Sequence, residues 1–320
     1  MPDTLDRYPS EAAIVGVDVG GTKTHLRAIV DGDIVDRVVP SDLWRAGAIF
    51  DDVQNFDRLA QLVTDTVGTS PAVTVVGAHG IDSTRQRHQA TALLDERMPG
   101  VVAVVNDAVL LAPAMRLEAA VCVIAGTGSA VVGFDVDGEP VTADGYGWLI
   151  ADDASAPGIS RRAAVALLRA VDRQGAAAMT DPLAARFLTA FDALDHVDLA
   201  LRFQADASEA SWGGFAPEVF AAAAAGSTIA HEVVAASALH LADAVRAVRG
   251  RGARGTDVIA AGGVITAQPL LADLLRAELR ERDGALRFHV LDEPPVAGAL
   301  ALALAHADTL DAPSPRKVLS

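Results

Sequence analysis

Twice along this chain an apolar, β-branched run breaks on glycines, returns as a second apolar run and closes on Asp-Gly. The first copy comprises residues 13–19, the turn at Gly20 and Gly21, residues 24–30 and Asp31-Gly32-Asp33. The second comprises residues 119–124, the turn Ala125-Gly126-Thr127-Gly128-Ser129, residues 130–136 and Asp137-Gly138. The copies share little residue identity, but their elements come in one order. Short runs rich in Val and Ile, bounded by Gly and Asp-Gly, are strands joined by tight hairpins. A pattern that restarts within 320 residues predicts two similar halves rather than one continuous sheet.

The remaining segments extend that reading. Residues 34–39 form a third strand. Val53, Phe56, Leu59, Ala60, Val63 and Val67 recur at helical spacing and predict an amphipathic helix ending near Gly68. A strand at 73–77, a helix at 86–98 and an almost wholly apolar strand at 101–105 follow, the last with the composition of a strand buried on both faces. Asn106-Asp107 then leads into a helix near 108–117. Residues 159–249 read as mostly helical, with alanines 221–225 as helix filler and 206–214 as a polar loop. A strand at 257–261 runs into Gly262-Gly263; a helix at 268–281, a strand at 287–291 and a closing helix at 295–306 complete the chain. The expected organisation is one lobe of residues 1–117, onto which a closing helix at 295–308 packs back, and a second lobe of 118–294 with a helical insertion at about 159–249. The expected fold is α/β and two-lobed, with a ligand cleft between the lobes, as clefts between domains are preferred binding places.

Composition narrows the function. Acidic residues number 42 against 26 basic, a net charge of −16, which argues against a nucleic-acid surface but leaves room for a nucleotide held by a few local donors. Aromatic residues are 4% of a chain that is 51% hydrophobic, so its cores are built from Ala, Val, Leu and Ile. The single cysteine, Cys122, lies in an apolar run and reads as a small buried hydrophobe; no internal disulfide and no cysteine zinc site can form. The eight histidines contain no HExxH pair, and His25 and His79 read as structural. The first ten residues lack an apolar core, so no signal peptide is expected; the richest apolar run, 296–305, is about half a membrane span. No membrane contact and a cytoplasmic location are expected, with 312–320 as a frayed tail.

The chemistry concentrates in IVGVDVGGTKT, residues 14–24. A strand delivers Asp18 at its end, Gly20 and Gly21 allow a tight turn, and Thr22 and Lys23 offer hydroxyl, amide and ammonium donors to an anion. Glycine loops at 18–24, 126–129 and 262–263 follow one another in the order of a single ATP site. This arrangement resembles the superfamily of acetate and sugar kinases, heat-shock chaperone ATPases and actin, built from duplicated ribonuclease H-like domains. More closely, the chain is similar to the N-acetylglucosamine kinases and the related BadF/BadG/BcrA/BcrD ATPases. The segments that carry this are GVDVGGTKT, PSDLWRAG around Trp44, NDA at 106–108, IAGTGS at 124–129 and GYGWLIADDAS at 145–155, within about residues 12–306.

The resemblance implies the cofactors ATP and Mg²⁺, and a site residue by residue. Gly20, Gly21, Thr22, Lys23 and Thr24, with Gly126, Thr127, Gly128 and Ser129, would bind phosphates; Gly262 and Gly263 would border the adenosine. Asp18 would hold Mg²⁺, directly or through water. Asp107 would be the general base that deprotonates a sugar hydroxyl, while the same aspartate also suits an N-cap. Asp42, Trp44, Asn106, Asp107, Gly145, Gly147 and Asp152 would meet the sugar. Asp42 stands where the family has Asn, a charge suited to the ammonium of a free amino sugar. Ala151 and Ala154 replace family glycines. The implied reaction is phosphorylation of the 6-hydroxyl of N-acetylglucosamine or glucosamine, with the sugar as small-molecule partner and a homodimer as the assembly. Two other readings stay open: an ATPase that activates a partner enzyme, whose relatives use an iron–sulfur cluster held by cysteines, and a non-catalytic ATP- or sugar-binding regulator.

Overall fold

The computed structural model describes residues 13–81 and 83–311; the expectations for the first ten residues and for 312–320 lie outside them. The chain divides into two compact units. One ends at Glu118 and resumes at Asp292, and the other is Ala119–Leu291.

The first unit is a five-stranded sheet in the order β3-β2-β1-β4-β5. Its strands are β1 Ala13–Val19, β2 Lys23–Val30, β3 Asp33–Pro40, β4 Pro71–Ala78 and β5 Val101–Asn106. Two hairpins make β1, β2 and β3 antiparallel; β4 and β5 run parallel to β1, reached through the helices Gln54–Val67 and Thr84–Asp95. Gly68 ends the first of these helices at φ 67°, and Ser83 caps the second through the Gln86 amide. The second unit repeats the plan as β10-β9-β6-β7-β8. Here β6 Ala120–Ala125, β7 Ser129–Phe134 and β8 Pro140–Asp144 are antiparallel, while β9 Asp257–Ala261 and β10 Arg287–Val290 run parallel to β6. The two sheets therefore have the same strand order and the same strand directions.

Helices between β8 and β9 bury Leu167, Phe187, Val219 and Leu241 with Val121, Val131 and Val258 of the sheet in one core. Cys122 is buried in β6. In the first unit the Val296–Asp311 helix lies against β1 and β4, sharing a core of Leu300, Ala303, Ile14, Val73 and Val75. Among the described residues no single helix is long and apolar enough to cross a membrane.

Three local expectations are corrected. The segment expected as a helix over 108–117 is a 3₁₀ turn, Asp107–Leu110, followed by one α-turn, Leu111–Ala114. Pro113 donates no backbone hydrogen bond, and Arg116 turns the chain at φ 58°. The expected loop at 206–214 contains the helix Glu209–Gly214, capped by Ser208. It forms because Trp212 is buried there, its indole donating to the Phe203 carbonyl at 2.8 Å and its ring stacked on Phe203. Strand β8 had no counterpart among the expected elements: it is only five residues long and its burial pattern alternates weakly.

Candidate active site

In the first unit, β1 ends at Asp18 and Val19, and the chain turns through Gly20, Gly21 and Thr22 into β2. The Gly20 amide donates to the Lys23 carbonyl at 3.0 Å, closing the turn. Residues 41–45 brace it from one side. The Ser41 amide donates to the Thr22 carbonyl at 2.9 Å, and Arg45 donates to the Gly21 carbonyl at 3.1 Å. A one-directional chain of donors runs from the Trp44 indole to Thr24 Oγ1, on to Ser41 Oγ, and to the Gly20 carbonyl, each step 3.0 Å. Gly21, Thr22 and Lys23 are left exposed. Thr24 is not: it is fully buried, with its hydroxyl held by Ser41 and Trp44, so this residue supports the turn instead of offering it a phosphate donor. Trp44 is half-buried against the core, and Asp42 lies exposed in the short Ser41–Leu43 turn.

Asn106 and Asp107 lie at the corresponding end of β5, which β4 separates from β1. The Asn106 carboxamide is engaged at both ends, accepting from the Ala108 amide at 2.9 Å and donating to the Ile81 carbonyl at 3.2 Å. Asn106 is thus the N-cap of the turn, a role the sequence had also suited to Asp107. Asp107 is the first residue within the turn. Its Oδ1 accepts from the Ala108 amide, its Oδ2 lies 3.6 Å from His79 Nδ1, and its side chain keeps 24% of its surface exposed. Asp18 stands close enough to feel that carboxylate. Burial, reinforced by the Asp107 charge and opposed by Lys23, pushes the Asp18 carboxyl up to about 7.

Two carboxylates coupled through their charges, with a lysine whose charge also reaches Asp18, suit a hard divalent cation. Mg²⁺ commonly takes one or two carboxylates and fills its octahedron with water and substrate phosphates. No group of three or more His, Cys, Asp or Glu that could hold a metal occurs among the described residues. The raised Asp18 has a measurable consequence in the ligand-free protein. Between about pH 4 and 7 the folded state holds a proton there that the unfolded state has released, so this group's contribution to stability falls as pH rises across that window. Asp18→Asn removes the dependence. Its melting temperature relative to the unaltered protein should be near zero difference at pH 4 and increasingly higher up to pH 8. A difference that does not change with pH refutes the burial of a charge at Asp18.

In the second unit, the Gly126 amide donates to the Gly128 carbonyl at 2.9 Å, and the Ala156 amide donates to the Gly126 carbonyl at 2.8 Å. The Gly126 amide is thus used within its turn, while Thr127 is left exposed and Gly128 half-buried. Gly262 sits directly behind it at φ 107°, where a Cβ would meet the Ala125 carbonyl oxygen at 2.5 Å, and a Cβ on Gly126 would lie 3.3 Å from the Gly263 nitrogen. Only glycine at 262 satisfies both the conformation and the close approach. The second and third glycine loops are therefore one backbone-to-backbone assembly. Ser129 is buried and its hydroxyl donates to Asp144 at 2.7 Å, so its side chain is not presented to a ligand.

The segment 145–155 is bent by Gly145 and Gly147 at φ 80° and 97°. Asp152 was expected to face a sugar. It is buried instead, its Oδ1 accepting from the Gly147 amide at 3.0 Å and its carbonyl accepting from Ser155 Oγ at 2.7 Å. Burial raises its carboxyl above the ordinary range, against the Gly147 hydrogen bond. Asp153 is paired with Arg161 at 3.0 Å and Arg162 at 3.5 Å. Ala154, in place of a family glycine, is fully buried. The first unit thus brings together Asp18, Gly20 to Lys23 and Asp107; the second brings together Gly126 to Ser129, Gly262-Gly263 and the 145–155 bend. Ser41, Arg45, Asp144 and His240 support these turns and carry no local sequence signal.

Residues 15–304 match the sequence model of the BadF/BadG/BcrA/BcrD ATPase family. An N-acetylmuramic acid/N-acetylglucosamine kinase of Clostridium acetobutylicum is 26% identical over 171 residues, covering 51% of this chain and 55% of that protein, so the match spans about half of either. Among solved structures, a candidate N-acetylglucosamine kinase from Chromobacterium violaceum is 22% identical with a TM-score of 0.65, covering 92% of this chain and all of that one. A candidate N-acetylglucosamine kinase from Porphyromonas gingivalis gives 18% and 0.66 over 92% of this chain and 99% of its own. A ROK family glucokinase from Streptomyces griseus, in complex with glucose and AMPPNP, gives 16% and 0.56 over 93% of this chain and all of its own. At such identities the likeness is one of fold: an α/β architecture of two units, each with a five-stranded mixed sheet.

Proposed function

The chain belongs to the BadF/BadG/BcrA/BcrD ATPase family, and from that premise we propose that it is an ATP-dependent sugar kinase. Its acceptor is the 6-hydroxyl of an amino sugar, N-acetylglucosamine or glucosamine. The observation that carries the reading is the placement of Asp18, Lys23 and a partly exposed Asp107 along one edge of a single sheet, at the ends of β1, β2 and β5, with the Asp107 charge felt at Asp18.

Phosphoryl transfer passes through a loose transition state whose charge lies on the equatorial phosphoryl oxygens. Thr22 and Lys23, on the exposed turn of the first unit, are donors suited to meet this charge; the Thr127–Gly128 turn of the second unit is, by itself, a phosphate-donor turn. Lys23 suits the task as a compact ammonium on an exposed turn. Asp107 accepts the proton of the attacking hydroxyl, the step for which a positioned carboxylate is needed. Asp18 would hold Mg²⁺, directly or through water, and the ion would neutralise charge on the triphosphate. Gly262 and Gly263 let backbone approach the adenosine without side-chain hindrance. The exposed Asp42 pairs with the ammonium of a free amino sugar. The activator alternative needs a thiolate ligand at a surface, and Cys122 is buried in β6.

The test is ADP release with Mg²⁺ and ATP against hexoses, hexosamines and N-acetylhexosamines. Release should depend on a hexosamine or its N-acetyl form. Turnover that ignores every sugar and instead requires a partner protein would overturn the kinase reading. Within the panel, Asp42→Asn should shift the ratio of kcat/KM for glucosamine over N-acetylglucosamine toward the acetylated sugar, by up to about fivefold, the range of an exposed ion pair. An unaltered protein that clearly prefers the acetylated sugar removes Asp42 from the explanation.

A further inference from the structure

Asp144 ends β8 with its side chain only 1% exposed, yet it carries a carboxylate. A buried charge persists only where hydrogen bonds and an opposite charge surround it. Asp144 has three partners. Ser129 Oγ donates to Oδ2 at 2.7 Å, the Asp152 amide donates to Oδ1 at 3.3 Å, and His240 Nε2 lies 3.2 Å from Oδ2. They come from three different elements: the glycine turn, the 145–155 bend and the Thr228–Gly250 helix. Asp144 and Asp152 are both left-handed, at φ 63° and 55°, a conformation that strains any residue with a Cβ; the Ser129 and Asp152 hydrogen bonds maintain it at Asp144, and His240 Nε2 adds an ion-pair contact without a hydrogen bond. Among the described residues His240 is the only cationic side chain in an ion pair with Asp144.

We propose that Asp144 and His240 are positioning residues for the nucleotide: their ion pair holds the Ser129 end of the phosphate turn and the 145–155 bend in one geometry, and loosens both when His240 loses its proton. This rests on the reading of the 126–129 turn as a phosphate donor. The groups facing His240 are Asp144 and Asp153, which favour its charged form, and Arg162, which opposes it. The Asp144 carboxylate, against burial, holds the His240 imidazolium above the ordinary histidine value. Burial alone would raise Asp144; the interactions with His240 and Ser129 outweigh it and hold the carboxyl below the usual range. The support is therefore complete below the ordinary histidine value and is lost as pH rises through the raised one. Above it a charged Asp144 stays buried beside a neutral imidazole and a second buried carboxylate, Asp152.

Calorimetric titration with Mg²⁺ and AMPPNP, from pH 6 to 8.5, reads this without any sugar turnover. His240→Gln should bind about tenfold more weakly than the unaltered protein at pH 6, within the ordinary range of coupling between two sites, with the gap closing at pH 8.5. His240→Lys keeps a cation and should retain the affinity while removing the pH-dependent gap. By reciprocity, AMPPNP must raise the His240 pKa in the unaltered protein, read from its imidazole proton resonance and needing no variant. Binding by His240→Gln within about twofold of the unaltered protein at every pH, or an unmoved His240 titration, overturns the positioning role alone. Absence of AMPPNP binding by the unaltered protein overturns the nucleotide reading and this inference with it.

Discussion

Asp107→Asn should lower sugar-dependent turnover at least about a hundredfold while AMPPNP affinity stays within about twofold. The substitution is structurally mild. The turn that carries Asp107 is capped by Asn106, not by Asp107 itself, and an asparagine oxygen can still accept from the Ala108 amide as Asp107 Oδ1 does. What disappears is the basic oxygen that takes the hydroxyl proton. A second effect follows from the coupling to Asp18. The Asp107 charge is one of the causes that raise the Asp18 carboxyl to about 7, so its removal lets Asp18 ionise at lower pH. Asp107→Asn should therefore bind Mg²⁺ and AMPPNP at least as well as the unaltered protein below pH 7, even as turnover collapses. That split separates the base from a structural residue, since a damaged turn would weaken both. Near-normal turnover reassigns Asp107 to the folding of the β5 end.

The backbone plan was legible because it rests on strong local signals. Val- and Ile-rich runs broken by glycine can only be hairpins, and their recurrence after residue 118 implied the duplicated sheet that the matching strand orders display. Side-chain direction was less legible. Lys23 and Thr24 are neighbours in one strand, so one faces solvent and the other the core; residue type marked both for phosphate, while strand alternation leaves only Lys23 exposed. Asn106 and Asp107 differ by a single register step, and both residue types cap helices. The helix at Glu209–Gly214 depends on Trp212 stacking against Phe203, a contact no local composition announces. The pairing of Asp144 with His240 joins a strand end to a distant helix, and neither neighbourhood carries a motif. Sequence thus located the turns; tertiary packing decided which atoms in them are free to meet a ligand.

The largest stability effect is expected far from any ligand-facing residue, at Gly298 in the Val296–Asp311 helix. A Cβ there would fall inside the Leu110 carbonyl, with the Leu110 carbonyl carbon at 2.8 Å and the Ala114 nitrogen at 2.9 Å. Each obstacle is backbone and cannot rotate aside, so the helix itself must move. On β1 the same helix crosses Gly16, where a Cβ would strike the Leu300 backbone. The helix is therefore held against the sheet by glycine contacts on both partners, and displacing it exposes Ile14, Val73, Val75 and Leu300. Gly298→Val should lower unfolding free energy by about 3 kcal/mol or more, at or beyond the usual range for overpacking, and a large share of the roughly 5–15 kcal/mol that holds a domain folded. Gly250→Ala is the control: it ends a helix in open space with nothing within 4 Å of its Cβ, and should be neutral or stabilising by up to about 1 kcal/mol. Urea unfolding midpoints of the two variants decide the matter. Because Leu110 closes the turn that begins at Asp107, any Gly298→Val protein that still folds should also lose turnover, through a shifted base rather than a missing one. An unchanged midpoint with full turnover would mean the helix is not seated on Leu110 as the packing requires.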